Sequence, residues 1–219
     1  MPDDFYAINL RLADRLCLVV GGGSVAARKT LGLLERRART RLVSPRLTAS
    51  LAELAAAEKI EWLPRAYQKN DLNGAALVFA ATNDPTTQEQ ISRDAEALGI
   101  FVNRADDPER GDFHLPATVR RGDLLITIST SGKSPALAAA LRRRLQGEFG
   151  DAYAPLTELC SRLRPLFTDR GRLADCTEAL LTAGLPDGTP KERAAAARRI
   201  LTAFVPEHVD IASLVRGIF

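Results

Sequence analysis

The chain has 219 residues, a formal charge of +3 and 46% hydrophobic residues, long enough to bury a substantial core in one large or two modest domains. Its mild charge and pI near 8.9 do not make nucleic acid the default partner, and no apolar stretch reaches membrane-spanning length. Cys17, Cys160 and Cys176 match neither zinc nor redox-pair spacing and read as incidental thiols in a reducing compartment; MPDDFY lacks the basic, then apolar, character of a signal peptide, so a cytoplasmic location is expected.

Phe5 to Leu12 is short and mixed, and reads as an edge strand or an arm over the first turn. Leu16 to Val20 is an apolar run followed at once by Gly21-Gly22-Gly23 and then by Ser24-Val25-Ala26-Ala27-Arg28-Lys29, the composition of a helix start. Strand, tight turn and helix in that order form a phosphate cradle of the G-x-G-x-x-A type. Gly21 permits the turn, Gly23 lets backbone N–H groups approach a pyrophosphate, and Ala26 lets the helix pack on the strand. Gly22, Ser24 and Val25 complete the candidate cofactor positions of this stretch.

Val25 to Arg37 carries apolar residues at helical spacing, and Thr40 to Val43 reads as the second strand, ended by Ser44-Pro45. In dinucleotide folds an acidic residue near this point usually holds the adenosine ribose. Here Ser44 stands in its place with Arg46 just beyond, which leaves NAD against NADP open. Leu47 to Ala57 reads as a helix, Ile60 to Leu63 as the third strand and Leu77 to Ala81 as the fourth. Thr82 and Asn83 follow at a strand carboxyl end, where open parallel sheets place ligand contacts. Capping of a helix over 86–98 by Asn83 or Asp84 explains the same residue types, and the two readings are compatible.

The fifth strand, Ile100 to Asn103, leads into Arg104-Ala105-Asp106-Asp107-Pro108-Glu109. Adjacent carboxylates before proline ordinarily mark a turn. On the cofactor side of a sheet, one of them can also face the cleft as a proton acceptor.

From Gly111 the strand-helix alternation breaks. Phe113 to Val119 and Leu124 to Ser129 read as strands, followed by Thr130-Ser131-Gly132-Lys133-Ser134-Pro135 and a helix over 136–146. The Gly132-Lys133-Ser134 triplet is not a P-loop, because the glycine required five residues earlier is Thr127. A polar loop at a helix start still suits an anion or a carboxylate-bearing ligand. Beyond Gly150 the pattern is helical, over 152–166, 172–183, 191–204 and 206–215. His114 sits in a strand-like stretch where a structural role outweighs catalysis, and His208 has no visible partner. No grouping reads as a metal site or a serine triad.

Four stretches in series resemble the precorrin-2 dehydrogenases of siroheme synthesis, including the N-terminal part of siroheme synthases: GGGSVAARK at 21–29, ATND at 81–84, VNRADDPERGDFHLPA at 102–117 and ISTSGKSPALAAALR at 128–142. The resemblance implies an α/β fold: a Rossmann-like NAD-binding domain over 1–112, a strand-helix dimerisation section with a substrate loop over 113–150, and a helical module over 151–219. It also implies NAD-dependent oxidation of precorrin-2 to sirohydrochlorin, with insertion of ferrous iron in some members, by a homodimer.

By motif, Asp106 matches the family's catalytic aspartate, and Asn103, His114, Thr130, Ser131, Gly132, Lys133 and Ser134 fall at substrate positions. Arg120-Arg121 and Arg142-Arg143-Arg144 offer positive charge to a polycarboxylate macrocycle. The position of Thr130 is in some relatives a phosphorylatable serine. The alternatives are an NAD-binding sensor without turnover and a relative that only inserts iron.

Overall fold

The computed structural model describes residues 5–105, 107, 110–185 and 188–219. It divides into two compact units, the first ending at Leu115 and the second running from Pro116 to Phe219.

The first unit alternates strand and helix: β1 (Leu16–Val20), α1 (Ser24–Leu34), β2 (Arg39–Val43), α2 (Ala49–Ala56), β3 (Glu61–Leu63), β4 (Ala75–Ala80), α3 (Pro85–Leu98) and β5 (Phe101–Arg104). All five strands are parallel, in the order β3-β2-β1-β4-β5. The chain leaves β1 toward β2 on one side and returns through β4 on the other, so strand order reverses between β1 and β4. At such a switch point a crevice opens outside the strand carboxyl ends.

The apolar run of β1 is buried on both faces, as a central parallel strand requires. Cys17 and Val19 pack with Ala26 and Leu33 of α1, Leu51 of α2 and Phe79 of β4. Leu18 and Val20 pack on the opposite face with Ile91 and Ala95 of α3. That two-residue alternation fixes the register and holds both helix layers against one sheet.

Helix α3 begins at Asp84, whose carboxylate accepts the N–H groups of Thr86 and Thr87 with Pro85 in the first position, and ends at Gly99 in the left-handed region. A 3-10 turn at Lys69–Leu72 has no counterpart in the apolar pattern. Asp71 anchors it from a buried position, accepting two bonds from Arg65 and one from the Gln68 N–H. Burial alone would raise this carboxyl, but Arg65, the Gln68 N–H and Arg41 outweigh it and hold the group below its usual value. Phe5 to Leu12 forms no strand, against the edge-strand alternative. Phe113 to Leu115 is likewise not strand; Pro116 lacks an N–H, and the next strand begins only after it.

The second unit contains the antiparallel hairpin β6 (Ala117–Arg121) and β7 (Leu124–Ile128), followed by α4 (Pro135–Glu148), α5 (Tyr153–Leu163), α6 (Arg170–Thr182), α7 (Pro190–Phe204) and α8 (Ile211–Val215). Gly122 supplies the positive φ of the two-residue turn. Arg121 ties the hairpin to Asp151 and to the Gln146 carbonyl. Leu159, Leu163, Cys176, Leu180 and Leu201 bring α5, α6 and α7 into one core. Among the described residues no helix is long and apolar enough to cross a membrane.

Candidate functional site

The crevice at the switch point is built by three chain turns. Gly21 follows β1 with φ +134°, and a Cβ there would lie 2.2 Å from the Ala81 carbonyl oxygen. Gly22 sits against the loop after β2, where a Cβ would come within 1.9 Å of the Arg46 carbonyl oxygen. The same loop donates the Thr48 N–H to the Gly22 carbonyl. Only hydrogen in place of a side chain lets these turns approach so closely.

Gly23 differs from both. Its backbone is extended (φ −88°, ψ −171°), and a Cβ would meet no protein atom within 4 Å. It is the N-cap of α1 and supplies no capping side chain. The first α1 N–H bonded back to this cap is that of Ala27, so the earlier N–H groups of the first turn face the crevice, where an anion is stabilised by them and by the helix dipole.

The crevice has a volume of about 510 Å³ and is lined by Gly21, Gly22, Gly23, Ser24, Val25, Ser44, Pro45, Arg46, Thr82 and Asn83 together with Leu47, Thr48, Ala81 and Asp84. All ten positions singled out in the sequence for the cofactor therefore meet in one hollow. Two side chains there are already engaged. The Ser44 hydroxyl donates to the Arg46 carbonyl at 2.7 Å, and the Thr82 hydroxyl accepts the Asp84 N–H at 3.2 Å. Capping of α3 falls to Asp84, which leaves Asn83 exposed at the rim.

An NAD molecule fits this donor set at its pyrophosphate, where open space and unpaired N–H groups coincide. At the ribose end no carboxylate awaits it: among the described lining residues the sole acid is Asp84, committed to α3. Arg46 is the exposed charge beside the β2 end.

A smaller hollow of about 250 Å³ adjoins the first and shares Val25, Ala81, Thr82 and Asn83 with it, adding Pro85, Gln88 and Ala105. Gln88 is missing from the sequence reading. Its signal was its place three and seven residues before Ile91 and Ala95, on the buried face of α3, where an apolar residue is the rule.

Asp106 lies outside the described residues. Described residues on either side of it are bonded to one another. Val102 and Asp112 bond reciprocally, N–H to carboxylate and N–H to carbonyl, each at 2.8 Å. The Asn103 amide donates to the Phe113 carbonyl at 2.7 Å from a buried position, so that side chain is turned to the backbone. Buried Arg104 and exposed Arg110 both reach Glu89 on α3, at 3.0 and 2.6 Å. The bond from Arg104 foremost, opposed by burial and supported by Arg110, keeps the Glu89 carboxyl below its ordinary value.

The half-buried His114 ring stacks on Phe5 with centroids 4.4 Å apart. Thr130, Ser131, Gly132, Lys133 and Ser134 belong to the second unit and form the loop before α4. The Thr130 hydroxyl accepts the Ser134 N–H, the Lys133 N–H reaches the Thr130 carbonyl, and the Ser134 hydroxyl caps the helix. Ser131 and Gly132 both have positive φ. Among the described residues no three His, Cys, Asp or Glu side chains cluster as metal ligands.

Residues 8–117 match a family model described as "Putative NAD(P)-binding". The chain belongs to this NAD(P)-binding family. Within the family its likeness is to siroheme enzymes, in keeping with the four motifs. Residues 121–148 match the model for the sirohaem biosynthesis protein central region.

The siroheme synthase of Thioalkalivibrio sulfidiphilus strain HL-EbGR7 is 40% identical over 161 residues, 74% of this chain and 33% of that protein. The siroheme synthase of Chromobacterium violaceum is 36% identical over 199 residues, 89% of this chain and 42% of that protein. The chain thus spans roughly two fifths or less of the curated relatives' length. The solved structure of SirC, precorrin-2 dehydrogenase, superposes with a TM-score of 0.71 at 25% identity, covering 91% of this chain and 98% of that one. The NAD(P)-binding family, the Rossmann-like sheet and the helical C-terminal part agree with the fold expected from sequence.

Proposed function

We propose that this chain is an NAD-dependent precorrin-2 dehydrogenase of siroheme formation, acting as a homodimer in the cytoplasm. The observation that carries the reading is the continuity of the two hollows. The glycine turn lines one, and Ala105, the residue before Asp106, lines the other. A dinucleotide seat and the residue that precedes the candidate base in sequence thus line adjoining hollows. The names of the curated relatives and of the solved structure support the substrate class.

Bound NAD supplies the hydride acceptor. The first-turn N–H groups of α1 hold its pyrophosphate, and the Ser44–Thr48 loop borders its adenosine half. The Asp106 carboxylate takes the proton that leaves precorrin-2 as the hydride departs, so the substrate loses both and becomes sirohydrochlorin. Asn103 and Asp112 pin the loop carrying this acid, and Arg104, Glu89 and Arg110 tie it to α3. In the second unit the 130–134 loop, with Lys133 as its cation, suits the carboxylates of a macrocycle, and in the first unit His114 is the candidate substrate position by motif. In this scheme residues 1–112 bind the dinucleotide, 113–150 join two copies, and 151–219 form a helical module.

Anaerobic mixing of the purified chain with NAD and precorrin-2 tests the proposal. NADH and the sirohydrochlorin spectrum should rise together, and the absence of both refutes it. Ferrous iron added to the same reaction reads iron insertion: siroheme assigns that step to this chain, and accumulated sirohydrochlorin assigns it elsewhere. Sedimentation of the protein alone reads the dimer.

A further inference from the structure

Trp62 stands on β3, the three-residue strand at one edge of the sheet. Burial does not account for a tryptophan there, since the residue remains 37% exposed, and it lines neither hollow. Its polar end is engaged: the indole Nε1–H donates to the Ser44 carbonyl at 3.0 Å. Ser44 has its other polar groups bonded as well. Its N–H donates to the Leu63 carbonyl at 3.2 Å, and its hydroxyl to the Arg46 carbonyl at 2.7 Å. A residue with amide donor, carbonyl and hydroxyl all committed has little freedom to move.

From Ser44 the constraint passes to the phosphate cradle. The Arg46 carbonyl, held by the Ser44 hydroxyl, lies where a Cβ on Gly22 would approach within 1.9 Å, and the Thr48 N–H donates to the Gly22 carbonyl at 2.9 Å. The 44–48 loop is therefore clamped between an edge strand and the glycine turn. In this series the Trp62 bond is the one hydrogen bond that a side chain outside the loop supplies. On the dinucleotide reading given above, the loop borders the adenosine half of the cofactor. A loop already in place when the ligand arrives costs less to order on binding.

We propose that Trp62 is a positioning residue for the dinucleotide: its indole N–H holds the Ser44 carbonyl and, through Ser44 and Arg46, sets the 44–48 loop against the glycine turn. The proposal rests on the dinucleotide reading. Removal of the N–H frees the loop, so NAD binding weakens, while hydride transfer, at the other half of the cofactor, keeps its rate once NAD is bound.

Trp62 is the chain's only tryptophan, so biosynthetic incorporation of benzothienylalanine, which carries sulfur in place of the N–H on a ring of the same shape, alters that position alone. Calorimetric titration with NAD should show affinity falling roughly three- to tenfold in Trp62→benzothienylalanine and in Trp62→Phe, with kcat for precorrin-2 at saturating NAD within about twofold of the wild type. Should Trp62→Phe fail to fold, the isosteric replacement decides alone. Glu61→Gln is the control. It weakens the ion pair of Glu61 with Arg41 at 3.0 Å, loosening the same strand without removing the N–H, and should leave NAD affinity within about twofold. Unchanged NAD affinity in the benzothienylalanine protein would overturn the proposal. Equal weakening in Glu61→Gln would overturn it as well, by reducing Trp62 to a brace for β3. A wild type that bound no NAD would instead defeat the dinucleotide reading on which the proposal rests.

Discussion

Replacing Gly23 by alanine separates folding from cofactor binding. The added methyl meets nothing within 4 Å and the backbone is extended, a conformation any L-residue adopts. Loss of an N-cap glycine and the gain from a stiffer unfolded chain are both of order 0.5–1 kcal/mol and opposite in sign, so stability should change by less than about 0.5 kcal/mol. The space the methyl fills is the approach to the first-turn N–H groups. Overpacking there should cost about 1–3 kcal/mol of NAD binding, roughly 5- to 150-fold in Kd.

Gly21→Ala is the contrast. Its methyl would overlap the Ala81 carbonyl at 2.2 Å, and its φ of +134° is unfavourable for alanine. Strain and displacement together should cost about 2–5 kcal/mol of stability, visible as a large fall in the urea midpoint. Urea unfolding and NAD titration of both variants provide the check. A Gly23→Ala protein that binds NAD as tightly as the wild type would refute the placement of the pyrophosphate.

Further substitutions address the remaining groups. Asp106→Asn should keep NAD affinity within about twofold while turnover of precorrin-2 falls roughly 10²- to 10⁴-fold; wild-type turnover would remove Asp106 from the chemistry. Arg46→Glu should shift the NAD-to-NADP affinity ratio toward NAD by about five- to tenfold, because a carboxylate beside the β2 end repels a 2′-phosphate; an unmoved ratio would place the ribose elsewhere.

Burial pushes the Cys17 and Cys176 thiols up from 9.0 to about 11. Between those values the unfolded chain has released protons that the folded chain retains. The stability tied to these thiols is therefore complete below pH 9 and is lost as pH rises through about 11. Urea midpoints should fall over that interval, and Cys17→Ala should lessen the fall; an identical pH profile for that variant would contradict the assignment.

Most of the first unit was legible because its signals are local. Apolar runs bounded by glycine and proline gave all five parallel strands to within two residues, and the G-x-G-x-x-A order gave the crevice. Contacts that join distant residues through side chains were not legible. The bonds of the Ser44 and Asn103 side chains to the carbonyls of Arg46 and Phe113 have no signal in the sequence. The Lys69–Leu72 turn depends on Asp71 meeting Arg65, a pairing that no hydrophobic period reports. Asp106 itself was read from a motif, and its placement lies outside the described residues.

The pinning of the 105–112 loop bears on how an acid at a turn can serve as a base. A turn held only by its own backbone would let a carboxylate sample many positions, and general-base catalysis demands hydrogen-bond reach to one proton. Here the loop is closed at its base by Val102 with Asp112 and by Asn103 with Phe113, and tied sideways to α3 through Glu89. Glu89→Gln should therefore leave NAD affinity unchanged, since Glu89 lines neither hollow, while lowering kcat for precorrin-2 through a less constrained loop. If kcat held and only thermal stability fell, the ion triad would be a brace for the sheet edge and no part of the positioning of Asp106.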